Sequence, residues 1–195
     1  MEPDLQVLKE AIGSGDPSRA MPALARLREV PDEQAVPLLL LGLEQQQFLV
    51  RSLSCAGLGV KRSEEGWSAL ERTVSADEDP NVRAEAANAL VSYGVVRSWP
   101  VLVASFRADS AWLVRCSILS ALAEQEEMRP EWLHELAGLA VADGDGTVRV
   151  GGAEVLGRLV REGGEPAAAA REQLRALQQD SDHRVVAAAL NGLQP

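Results

Sequence analysis

Asn81-Val-Arg-Ala-Glu-Ala-Ala-Asn-Ala-Leu90 is the stretch from which the fold is read. Val82, Ala86, Ala89 and Leu90 stand at i, i+4, i+7 and i+8, one stripe of a helix with 3.6 residues per turn. Asp79-Pro80 ahead of it supplies a capping acceptor and a proline where a missing N–H does no harm. Gly94 closes the helix. The pattern returns as Phe48-Leu-Val-Arg-Ser-Leu-Ser-Cys-Ala-Gly-Leu58, Leu113-Val-Arg-Cys-Ser-Ile-Leu-Ser-Ala-Leu122 and Thr147-Val-Arg-Val-Gly-Gly-Ala-Glu-Val-Leu156. A fifth copy, Arg184-Val-Val-Ala-Ala-Ala-Leu-Asn-Gly-Leu193, has Val186 in the arginine's place. Val50, Val82, Val114, Val148 and Val185 stand 32, 32, 34 and 37 residues apart, so the chain is a repeat array.

Between these valine-arginine helices, here termed B, lies a second helical pattern, termed A. Its stripes are Val36, Leu39, Leu40 and Leu43; Trp67, Leu70 and Val74; Leu102 and Phe106; Leu133, Leu136 and Ala140; and Leu174 and Leu177. Pro100, Pro130 and Pro166 are expected near the A-helix starts. Leu5, Leu8 and Ile12, then a turn over 13–17, then Met21, Leu24 and Leu27 form a degenerate end pair without the Val-Arg signature. The expected organisation is one domain over 1–195: a cap pair at 1–30, then repeats 31–60, 61–94, 95–127, 128–162 and 163–195, about six helix pairs in all.

A unit of about 32 residues with two short helices, a turn aspartate and Val-Arg-x-x-Ala-x-x-Ala-Leu resembles the HEAT repeat, and most closely the short variety known from phycobilisome bilin lyases. The resemblance implies an all-α fold, a right-handed α-α superhelix with A helices on the convex face and B helices lining the concave one. It also implies two readings of function. One is a non-catalytic scaffold or assembly factor that holds a protein partner in the groove, with no enzyme activity. The other is an E/F-type lyase-like or phycobilisome-degradation factor that handles a bilin, a linear tetrapyrrole, on a phycobiliprotein.

Counting from each repeat valine, the core stripe takes offsets 0, 4, 7 and 8, and the opposite side is offsets 2, 5, 6 and 9. The candidate partner-binding face is therefore Ser52 and Cys55; Ala84, Ala87, Asn88 and Val91; Cys116, Leu119 and Ser120; and Val150 and Glu154, with Trp112 at the rim as an aromatic anchor. This face is small and mostly uncharged, as a contact surface can be. Arg51, Arg83, Arg115 and Arg149 recur at offset 1 and follow turn aspartates such as Asp77, Asp109 and Asp143. They are read as a ladder of Arg–Asp pairs between repeats, with an anion-binding row as the alternative.

Composition sets outer bounds. The chain has 195 residues, 46% hydrophobic and 25% charged, and 29 acids against 19 bases give a net charge of −10. That disfavours nucleic acid and anionic membrane surfaces as partners. The longest apolar run, Val36 to Leu43, is too short to span a bilayer. Met1-Glu2-Pro3-Asp4 shows no leader pattern. Two cysteines, Cys55 and Cys116, build neither a disulfide framework nor a four-cysteine zinc site, and a reducing, cytoplasmic setting is expected. No metal or cofactor is expected. HEAT-like deoxyhypusine hydroxylases build a di-iron site from several His-Glu pairs, whereas His134-Glu135 stands alone here. Asp143, Asp145, Thr147 and Glu154 match calcium-loop positions, but Val148 stands where glycine is needed and Arg149 at a ligand position.

Overall fold

Aspartates start many of the helices. In the computed structural model, which describes residues 4–194, Asp4, Asp16, Asp79, Asp145 and Asp182 each accept a backbone N–H at a helix N-terminus. Met1–Pro3, on which the reading of the chain start rests in part, and Pro195 lie outside the described residues. The helices are α1 (Leu5–Ile12), α2 (Pro17–Arg26), α3 (Asp32–Leu43), α4 (Phe48–Val60), α5 (Glu64–Ala76), α6 (Pro80–Val91), α7 (Val95–Ala108), α8 (Trp112–Ala123), α9 (Pro130–Val141), α10 (Gly146–Glu162), α11 (Ala167–Leu177) and α12 (His183–Gly192). A short 3-10 turn, Leu27–Glu29, follows α2. The described residues contain no strand, and no helix among them is long and apolar enough to cross a membrane.

The chain forms two compact units, Met1–Ser105 and Phe106–Pro195. In the first, A helix α3 packs on B helix α4, α5 packs on α6, and α4 and α6 lie directly against each other. In the second, α10 is the hub, packed against α8, α9, α11 and α12. The repeat valines are buried in every copy, as are Leu58, Leu90, Leu122 and Leu156. The A-helix residues Trp67, Leu70, Leu102, Leu133, Leu136 and Leu174 close the core from the other side.

Side-by-side packing of B helices depends on glycine. Offset 9 of one helix meets offset 7 of the next. A methyl group at Gly59 would stand 3.0 Å from Ala89 Cα, and one at Gly157 would stand 2.7 Å from Gly192 Cα. Backbones this close admit no side chain without displacement.

Pro130 opens α9 and Pro166 immediately precedes α11. Pro100 departs from expectation, being the sixth residue of α7. Gly94, at φ 101°, resets the chain early, and Val95 is buried as the helix begins. Pro22 and Pro37 are likewise the sixth residues of α2 and α3. The carbonyls these prolines leave without an N–H belong to Ser18, Glu33 and Val96, all exposed residues, where water can take the donor's place.

The glycine contacts give a test with opposite signs. Gly157→Ala should destabilise the chain by about 1–3 kcal/mol through overpacking. Gly138→Ala, within α9 and with its nearest neighbour at 3.7 Å, should stabilise it by about 0.5–1 kcal/mol through helix propensity. Urea denaturation at neutral pH measures both, and equal effects would refute the close approach.

Candidate functional site

Three of the offset-1 arginines tie their B helix to the turn of the following repeat. Arg51 on α4 donates through Nε and Nη2 to both Asp77 oxygens at 2.8 and 3.0 Å, and through Nη1 to the carbonyls of Gln45 and Gln46. Arg115 on α8 holds Asp143 at 2.6 and 2.9 Å and the Asp109 carbonyl at 2.8 Å. Arg149 on α10 holds Asp180 at 2.8 and 2.9 Å and the carbonyls of Asp143 and Gly144. Arg83 on α6 donates to the carbonyls of Asp77 and Glu78. Asp77, Asp143 and Asp180 each accept a further N–H from Asp79, Asp145 and Asp182, and these second aspartates cap α6, α10 and α12.

These forks are mostly removed from water and strongly biased towards the charged forms. Hydrogen bonds donated to the carboxylates raise Arg51, Arg115 and Arg149 above the ordinary arginine range. Burial pushes Asp143 up, but the Arg115 bond, the Asp145 N–H and the charges of Arg115 and Arg149 together outweigh it and leave the carboxyl below its usual value. The Arg149 bond lowers Asp180, and the Arg184 bond takes Asp182 down to about 2.

The sequence-derived face is only partly open. Cys55, Ala84, Ala87, Val91 and Leu119 are at most 6% exposed, which corrects their assignment to a free surface. B helices have neighbours on their flanks as well as behind, as the contact of α4 with α6 shows, and a single-helix projection does not include them. Ser52, Cys116 and Val150 are half-buried. Asn88, Ser120, Glu154 and Trp112 are exposed. The position that stays open is thus offset 6: Asn88 in the first unit, with Ala56 half-buried at the same place, and Ser120 and Glu154 in the second.

Two recesses adjoin this position, one in each unit. In the first unit, Leu24, Leu27, Leu39, Leu53, Ala56 and Val60 line an apolar recess of about 230 Å³, bordered by Arg28 and Lys61. In the second, Leu119, Ser120, Ala123, Glu154, Val155 and Arg158 line one of about 310 Å³. Leu53, Val60 and Arg158 were missed in the sequence. They occupy offsets 3 and 10, which share one helix side with offset 6, and the spacing i, i+3, i+7 was the available signal. Val60 is 57% exposed, a large apolar side chain held in water at the recess edge.

Other singled-out residues have structural partners. Trp67 meets Tyr93 edge to face at 5.5 Å, and the Arg97 guanidinium lies 4.1 Å over the Trp67 ring while forking onto Glu64. The Tyr93 hydroxyl donates to the Leu58 carbonyl. His134 Nε2 lies 3.0 Å from Gln173 Oε1, and Glu135 pairs with Arg107. No group of three or more His, Cys, Asp or Glu among the described residues is placed to hold a metal ion. Burial pushes the Cys55 thiol up to about 12 and raises Cys116 as well, so neither is poised as a thiolate.

The forks predict an acid response. A carboxyl whose folded pKa lies below its unfolded value, about 3.9 for aspartate, adds stability that is complete above that value and is lost as pH falls through the folded pKa. Stability should therefore hold from neutrality to about pH 5 and fall between about pH 4 and pH 2. Arg115→Met, which leaves Asp143 charged and unpaired, should cost about 3 kcal/mol at pH 7. Urea titrations should show that deficit shrinking towards pH 3, and a constant deficit would contradict the pairing.

The HEAT-repeat family model matches residues 36–123. No curated protein matches the chain in sequence. Human deoxyhypusine hydroxylase, in complex with glycerol, is similar in structure with 15% identity and a TM-score of 0.51, over 97% of this chain and 94% of that one. The complex of CpcE and CpcF of phycocyanin lyase from Nostoc sp. PCC7120 is matched with 20% identity and a TM-score of 0.43, over 97% and 98% of the two chains. The hydroxylase likeness is one of fold alone. The described residues are all-α, residues 36–123 carry HEAT repeats, and the paired helices are those of an α-α solenoid.

Proposed function

We propose that the chain is a non-catalytic interaction scaffold or assembly factor that holds a protein partner along its B-helix face. The observation that carries this reading is the open offset-6 position beside recesses whose flanks are otherwise closed. Asn88, Ser120 and Glu154 stay in water while Ala87, Leu119 and Ala153 next to them are sealed. Within each unit, a partner segment laid at this position would meet a polar group for orientation and a recess for an apolar side chain. Stacked repeats commonly bind in this way, each contributing the same offset to one surface. A reducing, cytoplasmic setting suits the two unpaired thiols.

The tetrapyrrole alternative gains nothing from the site. Cys55 is sealed, with a thiol that stays protonated near neutrality. A phycobiliprotein partner remains compatible with the scaffold reading, as one protein among others that the face could hold.

Photo-crosslinking side chains placed at Asn88, Ser120 and Glu154 should each capture the same polypeptide in cells. Crosslinkers at the exposed A-helix positions Glu65 and Glu172 should not. Capture from the A helices alone, or from no position, would overturn the assignment. In parallel, phycocyanobilin added to the purified chain should keep its free spectrum. A sharpened, red-shifted band that depends on Cys116 would favour the pigment reading instead.

A further inference from the structure

The first unit carries another open recess, about 510 Å³, at the turn ends of α4 and α6. Its apolar walls are Phe48 and Leu49, 39% and 45% exposed, together with Pro17 and Pro80. Two large apolar side chains in succession on the first turn of a helix form an exposed patch that the fold itself does not use. The acidic wall is Glu78, whose side chain is 86% exposed, and Asp79. Arg51 also lines the recess, but its side chain is 9% exposed, its fork is closed on Asp77, and its Nη2 lies 3.5 Å from Glu78 Oε1, so one guanidinium stands against the three carboxylates of Asp77, Glu78 and Asp79. The side-chain charge facing an occupant is therefore negative. Gln47 also lines the recess. It holds the cap position of α4, where α6, α10 and α12 have aspartate, yet its side chain makes no capping bond and its Oε1 is buried without a donor. A buried acceptor left unpaired is costly, so this turn is a less settled helix start than the aspartate-capped ones.

We infer that this recess docks a protein segment that pairs a basic side chain with an apolar one. The cation sits between Glu78, Asp79 and the face of Phe48, where ion pairing and the ring's negative face act together. The apolar neighbour covers Leu49 and the two prolines. An acidic or wholly polar segment would meet like charge or leave the patch wet. The site shares no residue with the B-helix face and does not depend on the reading of that face.

The test is fluorescence anisotropy of a labelled peptide of alternating leucine and arginine, titrated with the full chain. Saturable binding is expected, weakening as NaCl rises from about 50 to about 300 mM. Glu78→Lys and Phe48→Ser should each weaken it at least about tenfold. Glu126→Lys, which makes the same change in net charge at an exposed position in the second unit, should change it less than about twofold. Val60→Asp, on the B-helix face, should likewise leave it unchanged, which separates this site from the proposed scaffold surface. A peptide with glutamate in place of arginine should not bind. Equal losses in Glu78→Lys and Glu126→Lys would reduce the attraction to the chain's diffuse charge and overturn the site, as would no binding at about 1 mM. Glu78→Lys carries the test if Phe48→Ser proves less stable by thermal melting.

Discussion

The bidentate bond between an offset-1 arginine and the aspartate five residues before the next repeat valine is the interaction on which the rest of the structure depends. Arg51–Asp77, Arg115–Asp143 and Arg149–Asp180 each join a helix to the turn of the following repeat. The aspartate receives the fork and an N–H from two residues on, so its position also fixes the residue that caps the next helix. The arginine's remaining donors hold carbonyls of its own turn, as Arg115 does at Asp109. One polar unit thus sets repeat spacing, turn shape and helix start together. Its carboxylates are shielded enough that removing the arginine would leave a buried charge rather than a solvated one.

Within the limits set by these forks, the backbone packing decides what surface remains. Gly59 against Ala89 and Gly157 against Gly192 bring neighbouring B helices to near backbone contact. That closeness closes the flanking offsets, where Cys55 and Leu119 lie, and leaves offset 6 outward. A surface built this way is narrow, repeated and chemically mild, suited to recognition by shape more than by charge. The strongest departure from mildness is at the turn end of α4, where Phe48 and Leu49 stand beside Glu78.

The fold was legible because its determinants are local and repeated. Val82, Arg83, Ala86 and Leu90 show the helix and its inward side, and their recurrence gives the stack. The open face was less legible. Periodicity tells which side of one helix is buried behind it, but Cys55, Ala84 and Ala87 are closed in a packing that their own helix does not encode. Leu53 and Val60 went unread because offsets 3 and 10 fall in neither the core stripe nor the opposite side counted from the valine, although Val60 is largely in water. Pro100 was placed at a helix start on propensity alone. The buried Val95 and the left-handed Gly94 outweigh that propensity, and an exposed carbonyl makes the proline tolerable.

A double-mutant cycle between Arg149 and Asp180, built from Arg149→Met, Asp180→Asn and the pair together and read by urea denaturation at neutral pH, tests the central coupling most directly. A coupling energy of at least about 1.5 kcal/mol is predicted, because the two groups lose a shielded fork that neither can replace with water. A value within about 0.5 kcal/mol of zero would contradict it and reduce the forks to surface ion pairs of no structural weight.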